Sequence, residues 1–193
     1  TIHESGEHLL ELVNSILDLA RVESGKMTLE VHEEQPRALI DKVIRAQLPT
    51  AEAKGLRLET RFADDLPERI VCDGTRVVQI LNNLVNNAIK FTDQGQVLVT
   101  ADRDGRMLRI AVRDTGCGIP TDMQDSVFER FRQVEGFLTR RQQGSGLGLA
   151  LVKELLTLMG GSVSLRSTPG EGSEFTLRIP VTPARPDSQG HVS

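Results

Sequence analysis

The chain has 193 residues, enough for one hydrophobic core and an appendage, with hydrophobic and charged fractions of 38% and 26% that are ordinary for a globular protein. A net charge of −4 and the absence of Trp and Tyr argue against nucleic acid as a partner, since both the basic footprint and the stacking platforms are missing. No run approaches the roughly 18 apolar residues of a membrane span, the first residues lack a signal-peptide pattern, and Cys72 and Cys117 have no metal-like spacing, so a reduced, cytoplasmic setting is expected.

Residues 1–26 read as one helix. Leu9, Val13, Ile16 and Ala20 recur at bundle-like spacing, and Leu10 and Leu17 widen the stripe. Gly25 stops it. The chain opens inside this helical pattern and so reads as a piece of something longer. No other segment supplies a matching long helix, so self-association is the simplest cover for the seam.

From residue 27 the pattern is mixed. "MTLEV" reads as a strand, Pro36 opens a helix running to Gly55, and "LRLETRF" alternates as a strand does. Asp73 is placed to cap the next helix. "QVLVTADRDGRMLRIAVRD" reads as a hairpin turning at Asp104-Gly105. Residues 129–144 are too long and polar for a simple connection. A helix follows at about 146–159, ended by Gly160-Gly161, and then a second hairpin turning at Pro169-Gly170. The tail, 182–193, has linker composition. The sum is an α+β fold: a two-layer sandwich of a mixed, mostly antiparallel sheet and helices, preceded by a helical stalk.

Within the helix after Asp73, the apolar residues from Val77 to Phe91 fill one half of a helical wheel. Asn82, Asn83, Asn86, Asn87 and Lys90 gather in the other half. A merely solvated face would be better served by Glu or Lys, because asparagine costs up to about 0.7 kcal/mol per site relative to alanine. A row of side-chain amides offers donors and acceptors together, and can hold a hydrated metal ion and phosphates. Buried without partners, each would cost about 1–3 kcal/mol. They are therefore wet or engaged.

Two glycine-rich stretches follow. In "DTGCGIP", Gly116 and Gly118 permit close backbone approach, and Asp114 at a strand end can accept from an exocyclic amine; alone, the stretch would also serve as a tight turn with a carboxylate cap. In "GSGLGLALVKELL", three glycines run into an apolar helix whose N-terminal N–H groups can receive phosphate oxygens. No Lys-Ser or Lys-Thr pair follows, so this is not a Walker loop. In combination, these features suit a purine nucleotide with magnesium.

Over about residues 1–181 these motifs, in this order, resemble the catalytic core of a sensor histidine kinase of the two-component type. "NLVNNAIKFT" is similar to the family's asparagine box. That implies Asn83 and Asn87 at the phosphates and magnesium, Asn87 as the metal ligand, and Lys90 near a phosphate. "DTGCGI" resembles the first glycine box, implying Asp114 on the adenine amine, with Gly116 and Gly118 beside the nucleotide. "FERF", with Phe128 and Phe131, resembles the phenylalanine box that begins the nucleotide lid. "GSGLGLA" resembles the second glycine box, placing Gly144, Gly146, Leu147 and Gly148 around the phosphates, while Arg140 and Arg141 stand as lid cations. The implied fold is the Bergerat-type ATPase sandwich shared with gyrase, Hsp90 and MutL.

The resemblance divides the chain into the trailing helix of a dimerisation and phosphoacceptor hairpin (1–26), a catalytic ATP-binding domain (27–181) and a linker (182–193). The expected acceptor motif is absent: His3-Glu4 is followed by Ser5-Gly6 rather than leading to Thr-Pro. Relatives that activate water carry a glutamate four residues before the metal-binding asparagine. Here that position is Asn83, and an amide cannot act as a general base. The implied activity is transfer of the γ-phosphoryl of ATP, with Mg2+, to a histidine upstream, for relay to a response-regulator aspartate. Asn83, Lys90, Arg140 and Arg141 would assist it. The implied partners are a second copy through the stalk, weakly in a chain of this extent, and a receiver domain. A membrane would enter only through further parts of a longer protein, which could carry an inner-membrane anchor. The alternative is a weakly active or inactive module of the same fold that regulates partners by helix pairing.

Overall fold

A computed structural model describes residues 2–131 and 146–183, apart from the side chains of 2–5, 7, 8, 11 and 183. Helix α1 runs Ile2–Glu23 and stops at Gly25, whose φ of 65° suits the residue without a Cβ. Strand β1 (His32–Glu34) follows, then α2 (Pro36–Ala53), β2 (Arg57–Phe62), β3 (Ile70–Cys72) and α3 (Gly74–Phe91). After these come β4 (Gln96–Asp104), β5 (Met107–Asp114), α4 (Gly148–Leu158), β6 (Ser162–Thr168), β7 (Gly172–Pro180) and β8 (Thr182–Pro183).

The main sheet has the order β2-β4-β5-β7-β6, parallel between β2 and β4 and antiparallel elsewhere. Alternate residues of its central strands point into the core: Val97, Val99 and Ala101, then Leu108, Ile110 and Val112, then Phe175, Leu177 and Ile179 are all buried. The apolar half of α3, from Val77 to Ile89, and the buried face of α4 complete that core. This is the expected α+β sandwich.

Pairing starts later than "MTLEV" suggests. Met27 is buried in the core and Glu30 N donates to Asp73 Oδ2 at 3.0 Å, so this extended backbone bonds a side chain instead of a neighbouring strand. The ladder begins at His32, opposite Cys72. A second, small sheet, β1-β3-β8, then joins the segment after the stalk to Thr182–Pro183, read from composition as the start of a linker.

The stalk has two apolar faces. Leu19 is buried, and Leu12 and Val22 pack against the same core beside α4. Asp18 accepts from Gln79 Nε2 at 2.7 Å and lies 3.8 Å from Arg76, tying the stalk to α3. Glu23 pairs with Arg130, beyond β5. The other face stays uncovered: Leu9, Leu10, Val13, Ile16 and Leu17 are between 44% and 62% exposed. Each Leu or Ile buried there by a second copy would contribute about 1.5–3 kcal/mol. A weak, concentration-dependent dimer is the expected result in sedimentation, weakened further by Leu9→Asn. A strict monomer at millimolar concentration would refute it.

Candidate nucleotide site

The site begins with how α3 is held at its two ends. At the N-terminus Asp73, 3% exposed, accepts from Arg76 N at 3.0 Å through Oδ1, satisfying one of the unpaired donors of the first turn. Along the polar face, Asn83 donates from Nδ2 to Gln79 O at 3.0 Å. Its Oδ1 then faces Gly148, the first residue of α4: a Cβ at that position would come within 2.7 Å of it. Asn87 is half-buried and Asn86 exposed; among the described residues neither side chain makes a hydrogen bond. The amides are wet, and available. Lys90 is half-buried with its ammonium 5.4 Å from the centre of the Phe91 ring, and desolvation lowers its pKa. A phosphate beside it would offset that cost.

At the other end, Phe91 O accepts from Cys117 N at 3.2 Å, and a Cβ on Gly116 would lie 2.3 Å from the same oxygen. Gly118, at φ 68°, sits equally close to the β6–β7 turn, where a Cβ would meet Thr168 O at 2.1 Å. The first glycine motif is thus clamped between the end of α3 and that turn.

Asp114 closes β5 at 6% exposure. Its Oδ1 accepts from Gly116 N at 2.8 Å and from Ser173 N at 3.2 Å. An incoming amine would therefore meet Oδ2. Burial raises the Asp114 pKa, and the two backbone donors hold it down in part. Ser173 is the partner that sequence patterning misses. The available signal was Gly172, two residues past the turn glycine, at φ 115° and so close that a Cβ would meet Asp114 O at 2.1 Å.

Phe128 packs edge-on against Phe175 with ring centres 6.2 Å apart. Phe131 is 68% exposed, and its N donates to Gly146 O at 3.0 Å. Leu147 buries its side chain at the N-cap of α4, so only its backbone can face a ligand. Among the described residues no side chain caps that helix, whose N-terminus is the kind of place where N–H groups receive phosphate oxygens. Arg140, Arg141 and Gly144 lie outside the described residues.

Among the described residues no three His, Cys, Asp or Glu side chains converge as metal ligands. Asn87 with the nucleotide's own phosphates is a donor set suited to magnesium, which prefers few protein ligands and substrate oxygens. Burial pushes the Cys72 thiol up to about 12, which removes it as a nucleophile. No helix among the described residues is long and apolar enough to cross a membrane.

Known proteins resemble this chain in sequence and fold. The sensor histidine kinase GacS of Pseudomonas protegens is 38% identical over 194 residues, covering 98% of this chain and 21% of that protein. RcsC of Escherichia coli K12, also a sensor histidine kinase, is 38% identical over 190 residues, covering 98% of the chain and 20% of its own length. The chain thus spans about a fifth of the curated relatives it matches. Among solved structures, full-length ShkA in complex with AMPPNP is 38% identical with a TM-score of 0.85, over 94% of this chain and 37% of that one. The catalytic domain of histidine kinase ThkA is 27% identical with a TM-score of 0.68, over 80% of this chain and 98% of that domain. Residues 72–183, from the end of β3 through β8, match the family of histidine kinase-, DNA gyrase B- and HSP90-like ATPases, and with the amide helix held between both glycine motifs the chain belongs to that family.

Proposed function

We propose that this chain is the ATP-binding catalytic region of a sensor histidine kinase, carrying the trailing helix of its dimerisation hairpin. One observation carries the reading: α3 touches both glycine motifs, with Asn83 on its polar face against Gly148 and its last carbonyl, Phe91 O, against Gly116 and Cys117. That bracket suits adenine at Asp114 and phosphates between α3 and the start of α4. Magnesium would be held by Asn87 and the phosphates, and would neutralise phosphate charge there. By the family resemblance, Gly144 would add to the phosphate contacts, and Arg140 and Arg141 would supply cations for the terminal phosphate.

Asn83 has no capacity to activate water, and its amide is already oriented by Gln79 O. The bound nucleotide therefore waits for a histidine from upstream. Its imidazole nitrogen forms the N–P bond as the bond to the β,γ-bridging oxygen breaks and ADP leaves. A receiver-domain aspartate would take the phosphoryl group next. Reading the chain as stalk (1–26), catalytic domain (27–181) and linker (182–193) belongs to the same proposal, as does a cytoplasmic setting. The uncovered seam on α1 favours a second copy as the source of a bundle.

Incubated with labelled ATP, the chain as given should bind nucleotide yet carry no acid-labile phosphate and hydrolyse it only slowly. Joined to an upstream helix bearing the acceptor histidine, it should label. Phosphohistidine at His3 or His8 of the present chain would overturn the placement of the acceptor. Normal ATP binding without labelling of the extended chain would favour the regulatory module instead.

A further inference from the structure

We infer that Lys54, at the end of α2, is a positioning residue for the nucleotide site, capping the far end of α3. An α-helix leaves its last four carbonyls without intrahelical donors. In α3 these are Ala88, Ile89, Lys90 and Phe91, and each has a partner from outside the helix ladder. Thr92 Oγ1 donates to Ala88 O at 2.7 Å, and Cys117 N donates to Phe91 O at 3.2 Å. The remaining two go to one ammonium: Lys54 Nζ donates to Ile89 O at 2.7 Å and Lys90 O at 3.1 Å. Its third donor reaches Thr92 O at 2.8 Å. All three N–H bonds of the ammonium are thus used, at the negative end of the helix dipole.

The local sequence places it there. Gly55, at φ 69°, ends α2, with Leu56 N donating back to Ala51 O at 2.9 Å. Lys54 therefore leaves the helix at a fixed point, while Ala51 and Leu56 on either side are anchored in the core. A lysine before a helix-stop glycine ordinarily serves its own helix. This one serves a helix 35 to 38 residues away.

The turn it holds carries Asn87 and Lys90, and ends on the carbonyl against which Gly116 and Cys117 are seated. Lys54 makes no contact with a nucleotide in this scheme. It fixes the angle between the amide face and the Asp114 loop, so the inference rests on the nucleotide reading above.

The test compares the chain with Lys54→Met, Lys54→Arg and Val43→Ala. Val43 lies on α2 at 1% exposure and is not among the proposed ligand contacts, and its truncation serves as a control that destabilises the fold without touching the cap. A fluorescent ATP analogue with magnesium should bind Lys54→Met about tenfold more weakly, within the range by which a residue without ligand contact modulates a site through its packed neighbours. Val43→Ala should bind as the parent does at temperatures where both are folded, and Lys54→Arg should recover part of the affinity. Without nucleotide, the amide signals of Cys117 and of the Asn87 side chain should shift in Lys54→Met and stay in place in Val43→Ala. Unchanged affinity in Lys54→Met, or an equal loss in Val43→Ala, overturns the inference. If the parent itself binds no nucleotide, the functional reading falls. The Cys117 and Asn87 signals then judge the cap, and unmoved signals overturn it too.

Discussion

Asp114→Asn should lose ATP binding while leaving the fold nearly intact. The amide keeps an oxygen in place of Oδ1, still able to accept from Gly116 N and Ser173 N. In place of Oδ2 it presents an NH2 group, so the exocyclic amine of adenine meets donor against donor. A hydrogen bond to a charged group is worth about 1.5–3 kcal/mol, or roughly 10- to 150-fold in affinity. The same arithmetic separates ATP from GTP in the parent chain, because guanine presents a carbonyl where adenine has the amine. Calorimetric titration with both nucleotides checks this, and comparable ATP and GTP affinities would remove Asp114 from base recognition.

Acidification should act through the same carboxyl. Its pKa is raised, chiefly by burial, so the folded chain takes up the Asp114 proton more readily than the unfolded chain. The protonated form is thus favoured by folding: that contribution is complete below the unfolded pKa and fades as pH rises through the folded one. Adenine binding runs the opposite way, since it needs the ionised oxygen as acceptor. ATP affinity should begin to fall at a pH above the ordinary aspartate range, before acid unfolding. In Asp114→Asn this acid limb should be missing.

Asp73→Ala should be among the most destabilising single substitutions available. Its buried carboxylate joins two distant pieces of chain: Oδ1 caps α3 at Arg76 N, and Oδ2 accepts from Glu30 N. Losing a cap costs about 0.5–2 kcal/mol, and a hydrogen bond to a charged group about 1.5–3 kcal/mol. A combined loss of about 2–5 kcal/mol is a large fraction of the roughly 5–15 kcal/mol that holds a domain. Asp73→Asn should cost less, because asparagine caps as well as aspartate, although its NH2 would oppose Glu30 N–H. Urea titrations of the three chains measure the difference. A loss below about 0.5 kcal/mol in Asp73→Ala would show that Glu30 and the first turn of α3 find other partners.

Much of the architecture is legible because its signals are local. The amide stripe of α3, the Asp73 cap, the turn glycines and the alternation of β4, β5 and β7 each report which face a segment buries or where it must stop. Helical period alone places Asn83, Asn87 and Lys90 on one side of α3, opposite the buried Leu81 and Val85. The small sheet is not legible in this way. Strands of two or three residues such as β3 and β8 are too short to show a period, and His32–Glu34 gains its strand character only from its partner.

Periodicity also says that a face is apolar without saying what covers it. In α1 the regular seam of Leu9, Val13 and Ile16 is the uncovered one, while Leu12 and Leu19 meet the core. The contacts that assemble the site span long stretches of chain: Ser173 N to Asp114 across 59 residues and Gln79 to Asp18 across 61. The sequence by itself determined the chemistry of the α3 face and the motifs available to meet it. Only the tertiary structure decided that Asn83 faces Gly148, that Lys54 closes the far end of the helix, and that Ser173 steadies Asp114. A hydrogen bond needs its donor and acceptor within about 3 Å, and no local pattern records that distance between residues far apart in the chain.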